Sequence, residues 1–273
     1  MVIILNGSTT SWEEDVQNLN VNLSNKLNWL LFSLYHSYNL RYYVISNENI
    51  HFLCNRYKDN IKSGKILTAA GGGDQPLSFI ANGARQIDMF DINKLAYYIF
   101  ALKKGAIITL DELSYLELIF SLSKKLGDKQ VNFNLMEKAI SAIEEEDAKN
   151  FWLYIIRNFS SKQIRKLSRE DYRRKTWSED HVLGEQIKFY KYLRDRLGVV
   201  PINFHLADLK NLKPEDSNYD LIYLSNIFDC IDNDDLISSI IDQLIPLLRD
   251  DGVLLEYSIE NECVHPIKKI LLR

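Results

Sequence analysis

The stretch Ile66-Leu67-Thr68-Ala69-Ala70-Gly71-Gly72-Gly73-Asp74-Gln75-Pro76-Leu77 decides the fold. An apolar run ends in three glycines, and an amphipathic run begins directly after them. This pattern predicts a buried strand, a tight turn and a helix N-terminus. Glycine lets backbone approach a ligand closely because no Cβ intervenes. The first helical turn adds free N–H groups and a partial positive charge. Gly71, Gly72 and Gly73 are therefore candidate ligand-binding residues.

A second signal follows. Gln86-Ile87-Asp88-Met89-Phe90-Asp91 reads as a strand that ends in an acid. Asp91 lies about 20 residues past the glycines, where nucleotide-binding α/β proteins place a carboxylate on ribose hydroxyls. A carboxylate suits that task because it accepts hydrogen bonds from both hydroxyls of a cis-diol. Glycine loop, helix, strand and terminal acid together point to a nucleoside ligand. The loop has no Lys-Ser/Thr pair, so it is not a P-loop.

Composition narrows the class. The chain has 273 residues, 46% of them hydrophobic and 26% charged, which suits a globular α/β protein with additions. The net charge of -4 gives no global basic field for nucleic acid. Cys54, Cys230 and Cys263 are odd in number and lack metal-ligand spacing, so a reducing cytoplasm, no disulfide framework and no metal are expected. No run reaches the length of a membrane span, and Met1-Val2-Ile3-Ile4-Leu5 is too short for a signal peptide.

Around the central stretch the chain alternates. Residues 11–62 read as helical, with Ser11 as N-cap. After the loop come a helix over 76–85, one from Asn93 to Lys104, and one from Asp111 to about Lys125. Residues 128–180 interrupt the alternation with a charged helical region. In it, Glu144-Glu145-Glu146-Asp147 reads as a solvated face. Lys162, Arg165, Lys166, Arg169, Arg173, Arg174 and Lys175 form a basic patch. It suits either an anion clamp or an exposed helix with alternating ion pairs. Alternation then returns. A helix is expected over Gly184 to Arg196, a strand from Val199 to Asp208, a strand from Tyr219, a helix over Asp234 to Arg249, and a strand over Val253 to Ile259. In open α/β sheets ligands sit at the carboxyl ends of strands, near the reversal of strand order. That brings in Ser225, Asn226 and Asp229, with a simple strand-end cap as the alternative reading.

The loop Ala69-Ala70-Gly71-Gly72-Gly73-Asp74-Gln75 is similar to the first motif of class I S-adenosylmethionine (SAM) enzymes, with Ala69 where an acid is usual. With Asp91-Ile92-Asn93 and Leu224-Ser225-Asn226-Ile227 it resembles a narrower family, the 3-amino-3-carboxypropyl transferases related to betaine-lipid synthases. Their loops end Gly-Asp-Asn and Asp-Leu-Asn. Those synthases carry a Trp-Glu-Asp motif before the glycine loop. The nearest counterpart by position is Ile45-Ser46-Asn47-Glu48-Asn49, which keeps one acid and lacks the Trp.

The resemblance implies a Rossmann-like, doubly wound, mostly parallel α/β sheet, its usual C-terminal end missing or cut to one edge strand. Residues 1–62 would form a helical cover and 63–273 the SAM-binding domain, with a helical insertion at about 128–180. It implies SAM as donor, with Ala70, Asp74, Gln75, Ile92 and Asn93 joining the glycines and Asp91 around it. Asp208 and the Leu209 backbone would read adenine. Tyr42, Tyr43 and Ser46 would either cover the ligand or pack. It implies transfer of the aminocarboxypropyl group, releasing methylthioadenosine. The acceptor would be a small-molecule, lipid or nucleotide-like hydroxyl or phosphate, anionic if Arg169, Arg173 and Arg174 clamp it. Asp229 and His181 are the candidate bases. Methyl transfer and a non-catalytic binding protein are the alternatives.

Overall fold

The computed structural model describes residues 44–46, 48–123, 130–167, 183–212, 217–258 and 263–267. All lie in the unit from Tyr42 to Arg273. The strands are β1 (Lys65–Ala69), β2 (Gln86–Asp91), β3 (Ile202–Leu206), β4 (Tyr219–Tyr223), β5 (Leu248–Ser258) and β6 (Cys263–Ile267). They form one sheet in the order β3-β2-β1-β4-β5-β6. Every pairing is parallel except β5 with β6. The chain winds from β1 out to β3, then from β4 out to β6, which is the doubly wound Rossmann-like α/β arrangement expected. Among the described residues the sheet ends in the antiparallel edge strand β6.

β1 and β4 are buried at every position. A parallel strand covered on both faces is mostly apolar, and Ile66 lies opposite both Ile87 and Leu221. Among the described residues ahead of β1 stand two short helices, α1 (Ile50–Arg56) and α2 (Lys58–Ile61). The Asn49 side chain caps α1 by accepting from the Phe52 N–H. Residues 44–46, 48 and 49 are irregular, so the helical expectation for 11–62 fails there. The reason is local. Ser46 and Glu48 turn inward onto the strand ends, and Glu48 is buried.

Helix α3 (Asp74–Ala81) follows the glycines, carries Pro76 in its first turn and stops at Asn82-Gly83, where φ is +95°. Helix α4 (Lys94–Thr109) is capped by the Asn93 side chain and runs past the expected end at Lys104. Gly105 there is not a stop signal but a crossing point. A Cβ on it would lie 2.3 Å from the Ala139 carbonyl oxygen. Helix α5 (Glu112–Leu122) is capped by Asp111 through the Ser114 N–H.

The inserted region supplies α6 (Phe133–Ser141), α7 (Glu146–Asn158) and α8 (Ser161–Leu167). The acidic run beside α7 is not wholly solvated. Asp147 pairs with Lys94 and accepts from the Tyr98 hydroxyl, and Trp152 donates to the Tyr98 carbonyl at 2.7 Å. The run therefore pins α7 to α4.

The single helix expected over Gly184 to Arg196 is two, α9 (Gly184–Lys188) and α10 (Tyr190–Leu197), broken at Phe189. Glu185 and Gln186 are buried on the first, Tyr190, Leu193 and Leu197 on the second. Helix α11 (Asp234–Leu244) is shorter than expected, because β5 starts at Leu248 rather than Val253. Leu248 already pairs with Tyr219, and the register shifts between Tyr219 and Leu221. Asp251-Gly252 is thus a bulge inside the strand and not a turn. A Cβ on Gly252 would sit 2.6 Å from the Tyr219 oxygen.

Candidate functional site

Because β1 to β5 are parallel, their carboxyl ends share one edge of the sheet. The winding reverses between β1 and β4, and outside the carboxyl ends at such a reversal open α/β sheets form their ligand-binding crevice. The loop of Ala70 to Gly73 borders it from β1, and Ser225-Asn226 borders it from β4. The Gly73 N–H bonds the Ala70 oxygen at 2.8 Å and closes the loop. Gly73 needs to be glycine on two counts. Its φ is +83°, and a Cβ would meet the Phe100 Cα at 3.1 Å.

Asp91 stands at the end of the neighbouring strand. Its carboxylate accepts from the Gly71 N–H at 3.2 Å and the Asn93 N–H at 2.8 Å. Burial nevertheless raises its pKa to about 6, outweighing the hydrogen bonds from Asn93, Gly71 and Ile92. Beside it Ile92 is 76% exposed, and Leu206, in register with Asp91 on β3, is 54% exposed. Two exposed apolar residues thus neighbour a half-buried acid. The Ala207 N–H bonds the Asp91 carbonyl at 3.0 Å, so Asp208 leaves the sheet on the same edge. The Asp208 side chain accepts from the Lys210 N–H at 3.3 Å, and Leu209 is buried.

Asp74, expected among the ligand contacts, faces inward. It is fully buried, and its carboxylate accepts from Lys103 at 2.5 Å, from the Ser46 N–H at 2.6 Å and from Gln186 at 3.1 Å. Burial pulls the Lys103 pKa down while Asp74 opposes that fall. Gln186 in turn accepts from the Tyr115 hydroxyl at 2.6 Å. Glu185 accepts from Asn82 at 2.8 Å and pairs with His51 at 2.5 Å. These contacts bolt α3 to α1, α4, α5 and α9. Gln75 is also buried. Its amide nitrogen donates to Ser46 Oγ at 3.2 Å and to Glu48 at 3.0 Å. Glu48 further accepts from the Tyr223 hydroxyl at 2.5 Å and from Ser225 Oγ. Ser225 is held at φ +59°, a left-handed conformation unusual for serine.

The structure therefore gathers the glycine loop, Asp91, Ile92, Asn93, Asp208, Leu209, Ser225 and Asn226 along one edge. Asp229 lies just beyond, exposed on a single 3-10 turn (Phe228–Cys230). Tyr42, Tyr43, Arg169, Arg173, Arg174 and His181 lie outside the described residues. Of the basic patch, Lys162 is exposed, whereas Arg165 donates to the Ser123 carbonyl at 3.2 Å. Glu48, Lys103, Glu185, Gln186 and Tyr223 were not singled out as site residues from sequence. A lone polar residue in an amphipathic segment carries no mark of inward orientation.

No family model matches the chain, and no curated protein matches it. Solved structures do align with it. One is an rRNA methylase from Streptococcus thermophilus, at 9% identity over 79% of this chain and 75% of that one, with a TM-score of 0.34. Another is the rRNA methyltransferase aviRa from Streptomyces viridochromogenes, at 9% identity over 76% and 71%, with a TM-score of 0.39. A third is the N-methyltransferase NodS from Bradyrhizobium japonicum WM9, in complex with S-adenosyl-L-homocysteine, at 11% identity over 88% and 70%, with a TM-score of 0.31. The fold assignment here stands on strand order and register.

Proposed function

We propose that this chain is a SAM-dependent group transferase. One observation carries the reading. A half-buried carboxylate, Asp91, is bonded to the glycine loop and neighboured by the exposed Ile92 and Leu206, at the carboxyl edge beside the strand reversal. A ribose diol fits the acid, and a purine ring fits Ile92 and Leu206. Asp208 on the same edge would accept from an exocyclic amine. The sulfonium then lies toward the crevice bordered by Ser225 and Asn226.

Catalysis in such a site is chiefly positioning. The acceptor's lone pair attacks a carbon on the sulfonium, and the C–S bonding pair leaves with sulfur. Methyl transfer leaves S-adenosylhomocysteine. Transfer of the aminocarboxypropyl group leaves methylthioadenosine, and the loop strings at 69–75, 91–93 and 224–227 favour that second chemistry. Asp229 and His181 are the residues we assign for testing as base. Arg169, Arg173 and Arg174 are the ones we assign for an anionic acceptor.

The test is direct. Protein is incubated with SAM and fractionated small-molecule, lipid and nucleotide pools, and the nucleoside product is identified. Either product, lost in Asp91→Ala, supports a transferase, and its identity names the group moved. No SAM binding at millimolar ligand overturns the proposal.

A further inference from the structure

Beside the glycine loop stands an acceptor with no donor. Gln75 is 3% exposed, and its Oε1 has no hydrogen-bond partner among the described residues. The amide orientation is fixed. Glu48, a carboxylate, accepts only, so Nε2 must face it and Oε1 must face away. That oxygen points toward the glycine loop, 3.5 Å from where a Gly71 Cβ would be. Next to it, buried Glu48 draws Gln75 from α3 and Tyr223 and Ser225 from β4 into one cluster. Ala69, the last residue of β1, adds no polar side chain there. A buried amide oxygen without a donor is costly, and natural proteins leave few of them. An amide oxygen without a donor, on the side chain whose nitrogen grips a buried carboxylate, matches a primary ammonium group.

We propose that Gln75 Oε1, with the negative charge of Glu48 behind it, receives the ammonium of an amino-acid tail on the nucleoside ligand. The inference rests on the nucleoside reading above. It makes Glu48 and Gln75 specificity-determining residues. They separate a nucleoside with an amino-acid tail from one without. Binding places one N–H on Oε1 and sets the positive charge against Glu48, with no bond made or broken.

Three probes separate this idea from the nucleoside reading. They are S-adenosylhomocysteine, its desamino analogue and methylthioadenosine, titrated calorimetrically into the full chain. The wild-type protein should bind S-adenosylhomocysteine about 30-fold more tightly than the desamino analogue, the worth of a charge-assisted hydrogen bond. Glu48→Gln and Gln75→Leu should erase that preference and leave methylthioadenosine affinity within about threefold of wild type. Equal wild-type affinity for the first two probes, with methylthioadenosine still bound, overturns the ammonium site alone. A uniform loss across all three probes in a folded Glu48→Gln protein also overturns it. Failure of wild type to bind any probe overturns the nucleoside reading with it. The wild-type comparison needs no variant, so it decides the matter even where Glu48→Gln fails to fold.

Discussion

The Asp74 carboxylate and the Lys103 ammonium meet at 2.5 Å, with neither side chain reaching solvent. Asp74 is the first residue of the helix that follows the glycines, and Lys103 lies deep in the helix after β2. The pair therefore fixes the entry of one helix against the body of the next. A negative group in the first turn also suits the helix dipole.

Removing one partner strands the other. Lys103→Met should destabilise the fold by about 3–5 kcal/mol, because it leaves a buried carboxylate without its cation. Replacing both residues by apolar ones of similar volume should recover most of that loss. Denaturant unfolding of wild type, the single variant and the double variant checks this. A single variant within about 0.5 kcal/mol of wild type would show that the Ser46 and Gln186 donors suffice without the cation.

Ligand affinity should depend on pH through Asp91. Hydroxyl donors favour its ionised form, and the free protein holds the proton up to about pH 6. Below that value binding must expel the proton. Adenosyl-ligand affinity should therefore rise by up to about tenfold per pH unit from pH 5 to 6, then level off. In Asp91→Asn the slope should vanish. The same raised pKa makes this group's contribution to stability fall as pH climbs from the ordinary carboxylate range to about 6. Above that it is constant. Titrations at several pH values, paired with thermal melts, check both signs.

Gly73→Ala should disable the loop. The left-handed φ of +83° and the 3.1 Å approach to Phe100 each oppose a Cβ. The strain alone costs about 1 kcal/mol or more. Because the loop borders the crevice, adenosyl-ligand affinity should fall along with the melting temperature. An Ala variant that binds as wild type would remove the loop's backbone from the site.

Gly105→Ala sets two effects against each other. Alanine gains about 1 kcal/mol in helix propensity. Its Cβ would stand 2.3 Å from the Ala139 carbonyl oxygen, a backbone atom that moves only if the whole crossing of α4 and α6 shifts. Overpacking of this kind costs about 1–3 kcal/mol, so the net change should be a loss. Unfolding curves give its sign.

Much of the sheet was legible from the chain. β1 and β4 are mostly apolar, and such runs announce strands covered on both faces. Asp91 and Asp208 at strand exits marked the edge on which they do lie. The misreadings have a common physical source, since each signal was local and the outcome depended on a partner far along the chain. The helix from Asn93 reads as ending at Lys104, whereas it continues through Gly105, which Ala139 crosses. Asp251-Gly252 reads as a turn until Tyr219 shows it to be a bulge. Asp74 reads as a ligand contact until Lys103 claims it. Glu48 and Gln186 are isolated polar residues whose inward orientation is set only by packing.

The pairing of β1 with β4 has a consequence for how the molecule is made. Ile66 cannot find Leu221 until the ribosome has added more than a hundred further residues. Closing so long a loop is entropically slow, so the middle of the sheet zips after its β1–β2 half. A nascent chain arrested before Tyr219 carries β1 with one apolar border bare. Chaperone demand during synthesis should therefore peak over that interval and subside once the fourth strand emerges.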